Sequence, residues 1–567
     1  MQRALLTLLA LLATATAHAQ IPKIAPDLNS LLGGSAPVRV IVQYNHVPLP
    51  LDLSKLQLLG ALVKAQHSLI SAVTAELPPA AVLSLVADPT VTYVSPDRTL
   101  AGTVDLTTAA SGSTVANNAG LDGAGIGIAV IDSGIFPHTD LEQADSPASR
   151  VVYRESFIGG KLFDDYGHGT HVAGIAAGNG KSASGPGYTR NFKGVAPRAH
   201  LVDLRVLDAN GFSSDSAVVA AIERAVELKA RYNIRVVNLS LGRPIQESYY
   251  LDPLTRAVEQ AWKKGLVVVC AAGNLGRNTY ATIVSPANSP YAITVGAMKT
   301  NGTAARSNDE IASYSSKGPT WIDLGVKPDL VAPGNLVSSL LAPGSSLVEH
   351  LPANVVASSS YGPAGNLPAY ITMSGTSMAA PAVSGAAAIL IQKDPSLTPD
   401  TVKARLMKTA SKSFPATSVA VDPNTGAAYP SAYDLFTVGA GYLDIPAALA
   451  NSQSMQGPAL SGQAVYLPLL NKALVVKDAA AGWGVTGAWS LAAVYGPARF
   501  ESVLFGLPVW GAANPAGSSA IWGTAASWGT AASWGTAASW GTAASWGTAA
   551  SWGTAASWGT SIPGSGE

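Results

Sequence analysis

The chain has 567 residues, long enough for several domains with at least one large core. Lysine plus arginine equals aspartate plus glutamate at 35 each, and only 12% of residues are charged. A balanced chain without a basic run lacks the electrostatic footprint of a nucleic-acid binder and gives no argument for an acidic substrate.

Arg3 precedes a run from Ala4 to Ala13 that only Thr7 interrupts, and Ala17-His18-Ala19 offers small residues before Gln20. That layout predicts a secretory signal peptide over residues 1–19; the run is short for a membrane span. The expected location is therefore outside the cytoplasm: extracellular, periplasmic or cell-surface. The single cysteine, Cys270, excludes an internal disulfide. It closes the apolar run Leu266 to Cys270, which suits a buried strand with cysteine as a small core residue.

In chain order, residues 37–44 read as a strand, 53–69 as a helix, 80–86 as a second helical segment and 90–94 as a strand. This is a small α+β unit. Residues 103–119, poor in charge and rich in Thr, Ala, Gly, Ser and Asn, read as an exposed connection. From Gly125 onward strands alternate with helices: strands over 126–132, 199–206, 234–240, 266–271 and 292–295, with helices over 214–231 and 252–264. Such alternation predicts an α/β domain built on a mostly parallel sheet covered on both faces. Residues 338–369 lack periodicity and read as a surface insertion. A helix starts near Thr376, and another spans 398–409 with Pro399 in its first turn. Residues 464–470 fit a strand.

The C-terminal region carries a hexapeptide repeat, Trp-Gly-Thr-Ala-Ala-Ser, whose tryptophans run from Trp522 to Trp558. A period of six is a multiple of the strand period of two, so extended copies would place indoles on one side about 20 Å apart. The same composition also fits a disordered tail. A surface, glycan or protein partner for the indoles is compatible with either reading.

Three segments carry chemistry. Ala129-Val130-Ile131-Asp132-Ser133-Gly134 puts a carboxylate at the C-terminal end of an apolar strand, where open α/β sheets build sites. Asp164-Asp165-Tyr166-Gly167-His168-Gly169-Thr170-His171 sets a histidine between glycines at a helix start. Its two histidines also form an i, i+3 pair that a metal would accept, with Asp164 or Asp165 as a third ligand, although the zincin spacing is missing. Ser374-Gly375-Thr376-Ser377-Met378-Ala379-Ala380-Pro381 puts hydroxyls at a helix N-terminus, as a simple cap or as a nucleophile beside N–H groups that favour an oxyanion.

Together these three segments resemble the subtilisin family of serine endopeptidases, whose chain order is Asp, His, Ser. The resemblance implies that Asp132 orients the base, that His168 is the general base and that Ser377 is the nucleophile, with His171 structural. Ala271-Ala272-Gly273-Asn274 matches the family's side-chain oxyanion donor at Asn274. Ser240-Leu241-Gly242 matches the strand that pairs with extended polypeptide substrate and lines its first pocket. Residues 37–100, above all Val91 to Asp97, resemble the family's inhibitory propeptide, which makes the chain's own N-terminal region an expected partner and the product a zymogen.

The resemblance implies no cofactor for the chemistry. Structural calcium would draw on Asp140, Asp164, Asp165 or Asp203, but no loop is distinct enough to place it. The expected organisation is signal peptide 1–19, propeptide 20–110, subtilisin-like three-layer α/β catalytic domain 111–450, extension 451–508 and repeat tail 509–567. Rival functions are a non-catalytic binding protein on the same fold, an adhesin led by the tail, and a metal-dependent hydrolase centred on His168 and His171.

Overall fold

The computed structural model describes residues 23–24, 28, 32–67, 71–96, 103–277, 279–363, 365–422, 426–467, 472–484, 487–496, 502–504 and 507–510. The expected signal peptide and the tryptophan repeat lie outside these residues. The chain forms two compact units, divided after Leu100.

The first unit runs β1 (Val38–Tyr44), α1 (Pro50–Leu58), β2 (Leu62–His67), β3 (Ala72–Leu77), α2 (Pro79–Val86) and β4 (Val91–Pro96). Its four strands form a sheet of order β2-β3-β1-β4, antiparallel throughout. Val38, Val40, Val42 and Tyr44 alternate along β1 and face a core shared with Leu56, Val82 and Leu85. The helix expected over 53–69 is corrected here. It stops at Leu58, Gly60 adopts φ +78°, and the chain returns as β2 against β3. A left-handed residue ends a helix at little cost only when it is glycine, so the order is βαββαβ.

The second unit opens with α3 (Thr103–Ser111) and α4 (Ser113–Asn118). The exposed connection expected over 103–119 is therefore helical, and Leu106, Ala110 and Ala116 are buried. Small uncharged residues that looked like linker instead allow close packing.

The central sheet contains β5 (Gly127–Asp132), β6 (Val151–Ser156), β7 (His200–Arg205), β8 (Ile234–Leu239), β9 (Val267–Ala271), β10 (Ile293–Lys299), β11 (Glu310–Ile311) and β12 (Leu330–Pro333). Its order is β11-β10-β9-β8-β5-β7-β6, with β12 also on β10. Every pairing is parallel except β10 with β11. α5 (His168–Ala177) and α8 (Thr376–Lys393) pack together and against this sheet. So do α6 (Asp215–Leu228) and α7 (Pro253–Lys263) as a second pair. All residues of β5 and β9 are buried, as in a sheet covered on both faces. The helices start where their caps dictate. Ser214 Oγ accepts from Ala217 N, and Asp252 carries Pro253 at the first helical position while accepting from Leu254 N. Thr398 caps α9 (Pro399–Thr409) in the same way.

The insertion expected at the surface over 338–369 is tied in at both ends. β13 (Val337–Leu340) pairs antiparallel with β14 (Tyr370–Met373), and Tyr361 is buried edge-on against Phe192 and Tyr370. Cys270 is fully buried in β9, and burial pushes its thiol up to about 12, far from reactive. Among the described residues no helix is long and apolar enough to cross a membrane.

Packing continues past residue 450. Leu460, Trp483 and Val494 share a core with Ala404, Met407 and Phe436, and Val326 N–H donates to Gly462 O at 2.7 Å. Beneath this junction lies a fully buried charge cluster. Asp329 accepts from Lys327 Nζ at 2.6 Å and stands 3.2 Å from Lys403 Nζ. Lys403 also donates to Pro290 O, Ala292 O and Ser461 Oγ, and the Ser461 hydroxyl donates to Asp329. One carboxylate thus faces two ammonium groups.

Burial, only partly offset by Asp329 and reinforced by the charge of Lys327, lowers Lys403 to about 7. An unfolded lysine titrates near 10.4, so between these values the unfolded chain binds the proton and the folded chain does not. Stability from this group therefore rises with pH across that window. The urea midpoint of wild type minus that of Lys403→Met should rise from pH 7 to pH 10; a value constant with pH would show that Lys403 stays protonated when folded.

Candidate active site

Three element ends of the second unit carry the residues expected to do chemistry. β5 delivers Asp132 as its last residue, α5 begins with His168, and α8 presents Ser377 as its second residue. Asp132, His168 and Ser377 are all essentially buried, at 0%, 2% and 1% exposure.

His168 Nδ1 and Asp132 Oδ1 are 2.7 Å apart. A carboxylate only accepts, so Nδ1 carries the hydrogen and Nε2 is left as the basic nitrogen. Ser133 N–H donates to the same carboxylate oxygen. Burial opposes a charged ring, but the charge of Asp132 and its hydrogen bond outweigh it and raise the His168 pKa above its usual value. The pair depends on a close approach. A Cβ on Gly169 would lie 2.2 Å from Gly134 O and 3.1 Å from Asp132 Cβ, so any side chain there would push the first turn of α5 off the strand end.

Asp164, weighed from sequence only as a metal ligand, instead builds the helix start. Its Oδ1 accepts from Tyr166 N and Gly167 N, and its Oδ2 accepts from Thr170 N and the Thr170 hydroxyl. The Gly167 and Thr170 amides are among those that a helix N-terminus leaves unpaired. The signal was present in the sequence as an acid placed just ahead of a glycine-started helix.

His171 Nε2 lies 3.0 Å from both Val337 O and Ile371 O. Carbonyls only accept, so this nitrogen bears hydrogen and is closed to a metal. Burial, with the charge of His168, lowers its pKa to about 3. His171 therefore ties α5 to β13 and β14.

The four acids named for calcium are also engaged with protein donors. Asp140 accepts from Ser182 N and Tyr370 OH, and Asp203 from Ile135 N and Arg154. Asp165 meets Lys161 and Arg205. Burial raises Asp203 to about 8. Among the described residues no three metal-ligating side chains cluster.

On the serine side, Pro381 sits inside α8, four residues after Ser377, and its missing N–H leaves Ser377 C=O without a helical partner. Ser240 Oγ–H fills that place at 2.9 Å. Ser240 Oγ in turn accepts from Asn238 Nδ2, whose Oδ1 accepts from the Ser384 hydroxyl. A buried polar chain thus locks α8 to the end of β8. The Ser377 hydroxyl donates to Ser240 O at 3.2 Å, and His168 Nε2 has no hydrogen-bond partner among the described residues. Asn274 Oδ1 accepts from both Thr376 N and Thr376 Oγ1. That fixes the amide with its oxygen on the helix start. Sequence reading missed Thr376 and Pro381 as positioning residues; both lie in the motif quoted for Ser377.

Ser240, Leu241 and Gly242 line a cleft of about 450 Å³ together with His168. Tyr166 and Phe212 also line it, so the imidazole opens onto a largely apolar groove.

Residues 123–441 match the subtilase family of peptidases. The chain is 38% identical over 355 residues to the serine protease AprX of Bacillus subtilis (strain 168), covering 60% of this chain and 74% of AprX. It is 34% identical to subtilisin DY of Bacillus licheniformis, covering 51% of this chain and 85% of that protein. It is also 34% identical to subtilisin Savinase of Lederbergia lenta, covering 52% and 87%. With more than half of its length matched, the chain belongs to the subtilase family and is a serine-type peptidase.

Proposed function

We propose that the chain is an exported serine endopeptidase, made as a self-processing zymogen, in which Asp132, His168 and Ser377 act as one catalytic unit. The observation that carries this reading is the buried 2.7 Å bond from His168 Nδ1 to Asp132. It leaves Nε2 as the base beside a helix that holds Ser377 in a fixed place.

Extended polypeptide lies along Ser240 to Gly242 by strand addition. His168 Nε2 takes the proton of Ser377 Oγ as that oxygen attacks a peptide carbonyl. The resulting imidazolium is stabilised by Asp132 and then protonates the leaving amine; water releases the acyl group by the reverse path. Reaching His168 requires the Ser377 hydroxyl to leave Ser240 O, a rotation about χ1. Catalytic hydrogen bonds commonly tighten only once substrate is bound. The Asn274 amide and Ser377 N–H hold the oxyanion. Loss of one such donor costs about 2.7–4 kcal/mol, a figure that comes from subtilisin, a member of this family.

The first unit is the inhibitory segment in this reading, and the chain's own substrate in maturation. We put the maturation cut between about 98 and 118. The N-terminal signal carries the proposal of export. The tail's role, with a surface, glycan or protein partner for its indoles, lies outside the chemistry, and no cofactor is invoked.

Expression of residues 20–567 should give a shortened, casein-hydrolysing product labelled by a fluorophosphonate. Ser377→Ala should stay unprocessed and unlabelled, with kcat for added peptide lower by about 10⁶, the size found for subtilisin. Equal hydrolysis by the alanine variant, abolished by a chelator, would overturn the serine mechanism. Because Asp132 raises the His168 pKa, kcat/KM should fall on the acid side as His168 protonates above pH 6.5. Asp132→Asn should move that limb to lower pH and reduce kcat by about 10⁴; an unmoved limb would show that another group titrates. Deletion of 511–567 should leave fluorophosphonate labelling at the wild-type level.

A further inference from the structure

β5 ends at Asp132, so Ser133 to Phe136 must hold their place without the ladder that fixes the strand. This segment touches both members of the Asp132–His168 pair. Ser133 N–H donates to Asp132 Oδ1, Ser133 Oγ accepts from Gly169 N, and Phe136 N–H donates to Thr170 Oγ1, each at 2.8 Å. Gly169 and Thr170 follow His168 in the first turn of α5. A shift of the segment therefore moves the carboxylate against the ring.

Ile135 lies inside the segment and is fully buried, so its main-chain N–H and C=O need partners within the protein. One ion pair supplies both. Ile135 N–H donates to Asp203 Oδ2 at 2.9 Å, and Ile135 O accepts from Arg154 Nη1. The same nitrogen donates to the same carboxylate oxygen at 2.8 Å. The sheet brings the two side chains together, because Arg154 on β6 and Asp203 on β7 are opposed in the parallel register. The guanidinium also lies 5.3 Å from the centre of the Phe163 ring, next to Asp164 at the start of α5.

Asp203 is 1% exposed, and its other oxygen has no hydrogen-bond partner among the described residues. Its interior neighbours include two further carboxylates, Asp132 and Asp164, with Arg154 as the opposing cation. Loss of Arg154 would leave Asp203 buried beside like charges and Ile135 O without its donor.

We infer that Arg154 and Asp203 are a positioning pair for this active site: by gripping both main-chain groups of Ile135, they set the segment that spaces Asp132 from the first turn of α5. The inference rests on the serine-peptidase reading above. Neither residue touches substrate or a reacting atom. A purely structural ion pair changes how many molecules fold, whereas this pair changes how fast each folded molecule turns over. A misplacement of about 1 Å in a catalytic group can cost about 100-fold in rate.

The test compares wild type, Arg154→Met, Arg154→Lys and Asp203→Asn on a blocked peptide p-nitroanilide after maturation. Fluorophosphonate labelling taken to completion counts the folded sites, so kcat is expressed per working molecule. Arg154→Met should lower kcat by about 10–100-fold with KM unchanged. It should also move the acid limb of kcat/KM to lower pH, because a displaced Asp132 supports the imidazolium less. Arg154→Lys, which keeps the charge and a donor, should recover most of both losses. Asp203→Asn keeps an acceptor for Ile135 but not the charge that holds Arg154, so it should show both changes at smaller size. If Arg154→Met fails to label, Asp203→Asn decides by the same criteria. Wild-type kcat per labelled site, a loss confined to KM, or a lowered kcat with an unmoved acid limb would overturn the inference and leave the peptidase reading intact. Absence of both labelling and hydrolysis in wild type would overturn the two together.

Discussion

A histidine and an aspartate held 2.7 Å apart in the absence of solvent form an arrangement that most of the second unit serves. Each partner is expensive to bury alone, and removal of either would strand the other. The pair is therefore set by backbone rather than by flexible side chains. β5 ends at Asp132, Gly169 lets α5 settle directly on that end, and Asp164 collects the amides of the first turn. His171, one turn on, is fixed to the carbonyls of β13 and β14. The ring of His168 thus has its position determined from three sides before any substrate arrives.

The serine half follows a related logic with different parts. A proline inside a helix normally weakens it, yet here Pro381 frees the carbonyl of Ser377 for Ser240, which joins the helix to the strand that lines the cleft. Thr376 spends both its amide and its hydroxyl on Asn274. The residue before the serine thereby orients the Asn274 amide, and the serine's own carbonyl anchors a wall of the cleft. The buried chain from Ser384 through Asn238 to Ser240 is fully paired, the condition under which a polar network specifies a core instead of weakening it.

Much of this was legible in the sequence because the chemistry is local. Asp132, His168 and Ser377 each sit in short segments of small residues whose spacing fixes strand ends and helix starts. The strands β5, β8 and β9 were visible as continuous apolar runs. Other features depended on contacts distant in sequence. Nothing around 62–67 distinguishes β2 from a continued helix until its pairing with β3 is known. Residues 103–119 have a linker's composition, and only a neighbouring surface makes such small residues a packing face. Asp164 reads in the sequence only as a possible metal ligand because the identity of its partners, not its own type, decides the role. The junction of Lys403, Asp329 and Ser461 joins residues 58 to 132 positions apart, beyond the reach of any periodicity.

In α8, every residue from Thr376 to Ile391 is buried. An ordinary surface helix has a wet stripe that can fray or slide while its apolar side stays docked; this one has no such side. The backbone at Ser377 consequently has no intermediate position available between its packed place and a disrupted core. Local loosening and loss of the active arrangement become the same event. Activity remaining after heating would then report the fraction of molecules with an intact interior, so the reaction itself serves as a gauge of whether the core has survived.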